Sequence, residues 1–439
     1  ITFETNDLKT LNQTSILNYE VTNNSANYDA EVQVNCKTKE NTTAKYTSIK
    51  NELENNATVI KAKETLNGTL TVTLNKVATE EVREEYVCTL TLNAVERDTI
   101  GVASINLYNM IKDNADTTTV IDYKVRSGVS RTNGIYTTTA TVGNKPVYYY
   151  RGDADKVNNN IIFNNMCWKI IRTTETGGVK LIFNGTPTDG KCEIQTGTST
   201  HIGGSVFNEN SNDNAYVGYM YGTAGSDAYE ATHANTNDST IKKYIENWYS
   251  QNFDEATTSK LEDTVFCNDR STKAYDANTI GDTSKSSYGS LGYGTNATLY
   301  GAAHRSSYWS SNPNPSLVCQ NNNDKFTVDN KTGNGKLTYP VGLITLDEVI
   351  FAGINTYYSN TNDYLDTTNY LYTNQHYWTF SPVAVGEGNV AIGNVLASGY
   401  VSRGFVNRVH GVRPVISLKS GTGVEPAGEG TTTNPYVVR

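Results

Sequence analysis

AEVQVNC at residues 30–36 and YVCTLTL at residues 86–92 are the two stretches that decide the fold of the N-terminal part of the chain. In both stretches apolar and polar residues alternate, which is the pattern of a β-strand with one buried face. The alternation places Cys36 and Cys88 on the apolar face of their strands. Two inward cysteines of this kind can bridge two packed sheets, so a β-sandwich is predicted.

An Asn67-Gly68 dipeptide, typical of a tight hairpin turn, precedes another alternating strand at residues 69–74. Residues 1–115 are therefore predicted to form one all-β unit. The unit resembles a bacterial immunoglobulin-like β-sandwich, although it lacks the Trp that packs on the disulfide of antibody domains. A Thr-rich run at residues 113–119 marks the predicted boundary, and residues 116–145 are predicted to be connecting strands or a linker.

Composition limits the class of protein. The chain has 439 residues, of which 18% are charged and 37% hydrophobic, and this is enough for two or three folded domains. With 30 Tyr but only 10 Phe and 3 Met, it favours a mainly β protein over a helical one. The formal net charge of -9, without any cluster of Lys and Arg, argues against nucleic acid or an anionic membrane as partner.

No stretch reaches the ~20 apolar residues needed to cross a bilayer, so no membrane span is expected. The first residue is Ile1 rather than Met, which predicts that the chain has been cut, either by removal of a signal sequence or by artificial trimming.

Six cysteines are present, and none stands in the CxxC or Cys/His spacing of a zinc site. Three disulfides are therefore predicted. Among the pairings open to six cysteines, joining neighbours in order keeps each loop inside one predicted domain. The predicted pairs are Cys36 with Cys88, Cys167 with Cys192, and Cys267 with Cys319. Disulfides indicate an oxidising, extracellular location.

The second half of the chain mixes strand and helix patterns. CWKIIR at residues 167–172 and VKLIF at 179–183 flank a Gly-containing turn, which predicts a β-hairpin. TLDE at residues 345–348 is a capping box that opens a short helix, and Gly353 can end it. A longer amphipathic helix, capped by Asp238 or Ser239, is predicted over residues 238–253. Its apolar stripe is Ile241, Tyr244, Ile245, Trp248 and Tyr249.

A resemblance to a known domain is carried by three features in this order: the hairpin, the longer helix, and the closing segments at 377–382, 398–401 and 411–418. They resemble a domain of unknown function in secreted and surface proteins of low-GC Gram-positive bacteria. That domain is itself similar to the C-type-lectin-like fold of formylglycine-generating enzymes. The resemblance covers about residues 146–420 and implies an α+β, C-type-lectin-like domain over 146–439, but it names no ligand.

Catalysis finds little support in the sequence. The formylglycine-generating enzymes act through reactive cysteines, whereas every cysteine here has a predicted partner. No HExxH motif, no closely spaced histidine pair and no Gly-x-Ser-x-Gly elbow is present. We expect no catalytic residue, no cofactor and no metal site, and surface or hydrogen-bonded roles for the five histidines. These are His201, His233, His304, His376 and His410.

Several short motifs permit a functional and a structural interpretation. The Asn- and Asp-rich runs at 208–214 and 321–324 offer oxygen ligands for Ca²⁺, but they lack the spacing of a calcium loop and are predicted to be solvated loops. Arg151-Gly152-Asp153 matches the tripeptide that integrins read, but an ordinary turn is predicted. We expect Trp168, Trp248 and Trp378 to be buried structural residues.

Two groups of tyrosines stand in polar segments, and they can serve either as a binding surface for sugars or proteins or as anchors of the loops. The first group is Tyr216, Tyr219, Tyr221 and Tyr229, and the second is Tyr357, Tyr358, Tyr364, Tyr370 and Tyr372.

The sequence thus favours a non-enzymatic, exported surface protein: an adhesin-like binding module or the subunit of an extracellular fibre. Its expected partners are further copies of itself and a surface ligand, with a glycan among the candidates. The alternative is a carbohydrate-binding lectin, and a remote one is an enzyme related to formylglycine-generating enzymes. A fibre would be assembled through terminal strands, with Ile1 and Phe3 at the opening end and Tyr436 and Val438 at the closing end. The alternative is that both ends pair inside their own domains.

Overall fold

The computed structural model describes residues 5, 7–25, 28–39, 44–96, 104–123, 131–139, 146–306, 313–354, 366–386 and 388–439. The protein is mainly β, with 34% strand and 14% helix, as predicted. It divides into two compact units, Ile1–Val102 (unit 1) and Ala103–Arg439 (unit 2). The division lies upstream of residue 115 because the helix that follows it buries Leu107 and Ile111 in the core of unit 2.

The described residues of unit 1 form two three-stranded sheets. Its strands are β1 (Thr14–Thr22), β2 (Tyr28–Thr38), β3 (Thr47–Leu53), β4 (Val59–Ile60), β5 (Thr65–Leu74) and β6 (Tyr86–Glu96), with a 3₁₀ turn at Glu54–Asn56. One sheet has the order β1-β5-β3 and the other β4-β2-β6. A small cluster of four buried side chains forms the main core: Val21, Val32, Ile60 and Leu66.

Two expectations about unit 1 are wrong in detail. Cys36 and Cys88 lie opposite each other in β2 and β6, so their disulfide joins neighbouring strands of one sheet rather than two sheets. Asn67 and Gly68 are part of β5 and not of a turn. Gly68 pairs with Tyr19, whose ring covers it so closely that a Cβ at residue 68 would lie 2.2 Å from Tyr19 Cζ.

Unit 2 contains the remaining elements. Its strands are β7 (Ile105–Asn106), β8 (Gly134–Thr138), β9 (Val147–Arg151), β10 (Asn160–Phe163), β11 (Met166–Thr173), β12 (Val179–Phe183), β13 (Gly204–Ser205), β14 (Met220–Tyr221), β15 (Asn237–Asp238), β16 (Phe266–Cys267), β17 (Thr298–Leu299), β18 (Lys325–Phe326), β19 (Tyr377–Gly386), β20 (Asn389–Val395), β21 (Val401–Phe405), β22 (His410–Gly411), β23 (Val415–Leu418), β24 (Gly423–Val424) and β25 (Tyr436–Val437). Its helices are α1 (Leu107–Asp113), α2 (Tyr229–Thr232), α3 (Thr240–Asn252), α4 (Glu255–Ser259), α5 (Gly301–Arg305) and α6 (Leu346–Phe351), with 3₁₀ turns at Thr198–Thr200, Asn214–Val217, Thr283–Lys285 and Asn322–Asp324.

Two larger sheets organise unit 2. The first has the order β23-β12-β11-β10-β25, with β8 and β9 attached, and the second the order β13-β22-β19-β20-β21, with β17 attached. Strands β9, β12 and β19 are buried along nearly their whole length, so apolar residues stand on both of their faces and their sequences do not alternate. Trp168 of the first sheet and Trp378 of the second are fully buried in one continuous core, as expected. Trp248 is only half-buried and packs on Phe183.

The local patterns of unit 2 are confirmed. Strands β11 and β12 form the predicted antiparallel hairpin. The longer helix, α3, begins after Ser239, whose side chain accepts from the backbone N–H of Lys242. Helix α6 has the predicted capping box between Thr345 and Glu348.

A buried group of three charges fixes α6 to the hairpin. Glu348 Oε1 lies 2.8 Å from Arg172 Nε and 2.7 Å from Lys180 Nζ, and all three side chains are buried. Glu348 Oε2 also accepts from the Thr345 backbone N–H at 2.9 Å. One carboxylate therefore serves two cations and the first turn of a helix.

Candidate functional site

Strand β6 forms one edge of its sheet in unit 1. It is eleven residues long and pairs with β2 on one side, and no other described strand pairs with it. The backbone N–H and C=O groups along such an edge are available to a further strand. We refer to β6, with its side chains Leu90 and Leu92, as the open edge.

The side chains of the open edge have a defined orientation. The Tyr86 hydroxyl lies 2.8 Å from the hydroxyl of Thr47 in β3, so Tyr86 and the residues two apart from it face the opposite sheet. Leu90 and Leu92 belong to this inner face, yet they are 44% and 45% exposed. Aliphatic side chains on the inner face of a sandwich are normally covered, so the space between the two sheets is open at this edge.

The cysteines form the three neighbouring pairs that the sequence predicts: Cys36–Cys88, Cys167–Cys192 and Cys267–Cys319. None of the described cysteines is free. Cys36–Cys88 lies on the inner face of the open edge and ties β6 to its one described neighbour.

The two predicted terminal strands have different outcomes. Ile1 and Phe3 lie outside the described residues. Tyr436 and Val437 form β25, which pairs in parallel with Ile161 and Ile162 of β10, and Val438 bonds through its backbone N–H to the Ile162 carbonyl at 3.0 Å. The closing strand thus pairs inside its own unit, which satisfies backbone groups that a donated strand would have to leave open.

The histidines are not all scattered. His233 and His304 bond to backbone carbonyls, as expected of structural histidines. His376 and His410, 34 positions apart in sequence, have ring centroids only 5.4 Å apart. Burial, together with His376 and Arg408, lowers the pKa of His410 to about 4. No spacing motif in the sequence signals this pair, because it forms where two strands meet.

Three of the six candidate tyrosines that the structure describes are anchors of the loops. Tyr219 is fully buried against Phe326 and Phe380, and Tyr370 is buried as well. The Tyr229 hydroxyl donates to the Arg270 carbonyl at 2.7 Å. Half-exposed rings in contact are found at Tyr216 and Tyr221, 5.3 Å apart, and Tyr372 is also half-exposed. Tyr357, Tyr358 and Tyr364 lie outside the described residues.

Arg151-Gly152-Asp153 is not an exposed tripeptide. Arg151 is 2% exposed, and its Nη1 donates to the carbonyls of Ile350 and Phe351 at 3.0 and 3.1 Å. The Asp153 carboxylate accepts from Arg131 Nη1 at 2.5 Å. A guanidinium so engaged is not accessible to a receptor.

The predicted solvated loops are also partly wrong. Asn208, Asp213 and Asn214 are buried, and their side chains bond to backbone groups of neighbouring segments. Asp324, from the second run, is buried with its Oδ1 at 2.6 Å from Arg270 Nε. In these loops, Asn and Asp side chains make the hydrogen bonds to buried backbone groups that neighbouring backbone makes in helices and sheets. In the described ranges no three His, Cys, Asp or Glu side chains are grouped to hold a metal ion.

A scan against protein-family profiles, a search of curated proteins and a search of solved structures each found no match to this chain. None of the helices in the described part of the chain is long and apolar enough to cross a bilayer.

Proposed function

We propose that this chain is an exported bacterial cell-surface protein without enzymatic activity, and that unit 1 links copies of it into an extracellular fibre. The observation that carries the proposal is the open edge, where Leu90 and Leu92 face the inside of the sandwich but remain nearly half exposed. An added strand would bury both leucines and satisfy the edge of β6. Because such pairing joins two different surfaces, it propagates from copy to copy.

The proposed occupant is the opening segment of a second copy, ITFET at residues 1–5. Ile1 and Phe3 are two positions apart, as are Leu90 and Leu92, and side chains spaced by two lie on one face of a strand. An added strand with this pattern can direct both apolar side chains between the sheets. It then exposes Thr2 and Glu4, which suits the solvent side.

The chain that follows β6 is too short to cover the whole open edge. Eight residues, 97–104, connect β6 to β7, which pairs with β24 in unit 2. After a two-residue hairpin turn, about six residues remain, fewer than the eleven of β6. The first half of β6, with Cys88 and Leu90, is therefore available to a strand from elsewhere in this chain or from another copy.

The finer fold assignments are part of the proposal. An immunoglobulin-like sandwich is supported in unit 1 by its two three-stranded sheets. A C-type-lectin-like domain is supported in unit 2 by the β11–β12 hairpin, α3 and the closing strands β19 to β23, in the order that carries the resemblance. Three disulfides are typical of proteins that fold in oxidising surroundings, which supports the extracellular location.

Deleting residues 1–6 is expected to stop fibre growth without changing the stability of the units. The deletion removes the donated strand but leaves β1 to β6 intact. Sedimentation velocity and negative-stain images of the full-length and shortened proteins at equal concentration give the readout. Normal polymerisation of the shortened protein, or a full-length protein that stays monomeric at high concentration, would contradict the proposal.

A matched pair of substitutions tests the acceptor side. Leu90→Lys places a charge inside the open edge and should abolish assembly, since a buried unpaired ammonium costs several kcal/mol. Val87→Lys is the control, because Val87 lies on the same strand, is 43% exposed and faces the other way. If both variants reduced assembly equally, β6 would not be the strand acceptor.

The alternative, a carbohydrate-binding lectin, is favoured by one observation. Tyr216 and Tyr221 present two half-exposed rings in edge contact, which is a surface on which a sugar ring can stack. A lectin would remain monomeric and bind glycans, and Tyr221→Ala should then abolish its binding on a glycan array. Unchanged glycan binding by this variant would contradict a sugar site at Tyr216 and Tyr221.

A further inference from the structure

His376 and His410 are held side by side by the backbone of the second sheet. Strands β19 and β22 run parallel and pair Tyr377 with Gly411, and the Gly411 N–H donates to the His376 carbonyl at 2.8 Å. His376 is exposed and His410 half-buried, with an angle of 32° between their rings. Two imidazoles fixed by adjacent backbone, with one side open to solvent, are available to a common ligand.

A buried amide stands behind His410. Asn394, on β20, is 1% exposed, its Nδ2 lies 3.5 Å from His410 Nε2, and its Oδ1 has no hydrogen-bond partner. The two ends of an amide are assigned from the hydrogen-bond network, so a half-turn about χ2 of Asn394 directs Oδ1 to Nε2. His410 then donates from Nε2–H to Asn394 Oδ1, and its Nδ1 lone pair is free.

The surroundings keep the His410 ring in this place. The ring of Trp378 lies 4.4 Å away in an edge contact, and Trp378 donates from its indole N–H to the Ser205 carbonyl at 2.8 Å. Gly404 leaves the necessary room, because a Cβ there would be 2.7 Å from His410 Nε2. The position of the imidazole is therefore set before any ligand arrives.

We propose that His376 and His410 together bind one divalent transition-metal ion, with water at the remaining positions. Two imidazoles that bind one ion at about 2.0–2.1 Å bring their ring centroids to about 5 Å, close to the 5.4 Å observed. Asn394 is the positioning residue, since a ligating histidine almost always donates its other ring N–H to a fixed acceptor.

The chemistry of the surroundings selects the class of ion. Residues 377–386 and 388–411, which include β19 to β22, contain no Asp or Glu, so these strands offer no carboxylate to the hard ions Ca²⁺ and Mg²⁺. Imidazole pairs favour Cu²⁺, Ni²⁺ and Zn²⁺, with Cu²⁺ the tightest. Arg408, which acts on His410, opposes any cation, but it is exposed and therefore screened by solvent.

Titration of the untagged full-length protein with CuCl₂, NiCl₂ and ZnCl₂, followed by calorimetry and, for Cu²⁺, by electron paramagnetic resonance, tests the site. We expect one ion per chain, Cu²⁺ bound most tightly, and imidazole nitrogen couplings in the spectrum. His376→Ala should remove binding, and because His376 is exposed the variant should fold normally. CaCl₂ should give no heat of binding.

Two further variants separate a metal site from a mere ring contact. Asn394→Ala keeps both imidazoles and should weaken binding by about 10–100-fold, the usual effect of losing such a support. His304→Ala is the control, since His304 is a buried, hydrogen-bonded histidine that lies outside the pair. Binding that survives His376→Ala, or that is equally reduced by His304→Ala, would overturn the proposal.

Discussion

Glu348→Gln is expected to destabilise unit 2 by about 3–5 kcal/mol, because it leaves the buried cations Arg172 and Lys180 without their shared carboxylate. Glutamine has nearly the shape of glutamate, and its amide oxygen can still accept from the Thr345 N–H. Its NH₂ group then points at the two cations, so the substitution removes both the charge and the acceptor that they share. Glu348→Ala should cost about 1 kcal/mol more, since it also removes the helix cap.

Tryptophan fluorescence during denaturant unfolding gives a clean readout of this variant. All four tryptophans lie in unit 2, so unfolding of unit 1 does not contribute to the signal. Glu175→Gln is the matched control, because Glu175 approaches the same Arg172 at 3.6 Å but its side chain is one-third exposed. We expect a loss below about 1 kcal/mol for the control. A loss of that small size for Glu348→Gln would mean that water reaches the buried charges.

The contribution of Glu348 should also depend on pH in a defined direction. Burial alone would raise the pKa of Glu348, but Lys180 and Arg172 outweigh it and lower the pKa to about 2. Because this lies below the value of about 4.3 in the unfolded chain, the stabilisation is fully present above that pH and is lost as the pH falls towards 2. The difference in unfolding free energy between wild type and Glu348→Gln should therefore shrink between pH 5 and pH 2. A constant difference would contradict the assigned pKa.

Patterns that act over a few residues were predictable from the sequence. The β11–β12 hairpin, the apolar stripe of α3 and the Thr345–Glu348 capping box each depend on neighbours no more than about fifteen positions apart. These patterns arise from the period of a strand or helix and from the unpaired backbone groups at a helix end. Both can be recognised from nearby residues alone.

Features that depend on strand order were not predictable in this way. Alternation places Cys36 and Cys88 on an inner face, but it does not say that β2 and β6 are neighbours in one sheet. The same limit hides the contact of His376 with His410, which requires β19 and β22 to lie side by side. Alternation predicts that Leu90 faces inward, but not that it is exposed. Leu90 is exposed because no described strand lies on that side of β6.

Removing the Cys36–Cys88 disulfide is expected to take away a large part of the stability of unit 1, whereas removing Cys267–Cys319 should leave unit 2 firmly folded. Both bridges span 52 positions, so in the chain-entropy model each contributes about 4 kcal/mol. The two units differ in the hydrophobic core that remains once the disulfide is removed. Unit 1 keeps a main cluster of four buried apolar side chains, while unit 2 retains one continuous core across both of its larger sheets. A domain of about 100 residues has a stability of roughly 5–15 kcal/mol, of which about 4 is a large part.

Hydrogen exchange followed by mass spectrometry resolves the two units in one experiment. In Cys36→Ser/Cys88→Ser, peptides of β2 and β6 should lose about a thousandfold of their protection, the equivalent of about 4 kcal/mol, while peptides of β11 and β19 keep theirs. In Cys267→Ser/Cys319→Ser, protection falls around β16 and β18, which lie beside that bridge, and unit 1 is unaffected. Full protection of β6 without its disulfide would show that the side chains of unit 1 alone hold the open edge in place. In that case a donated strand would bind to an edge that is already rigid, and fibre assembly should be insensitive to reducing agents.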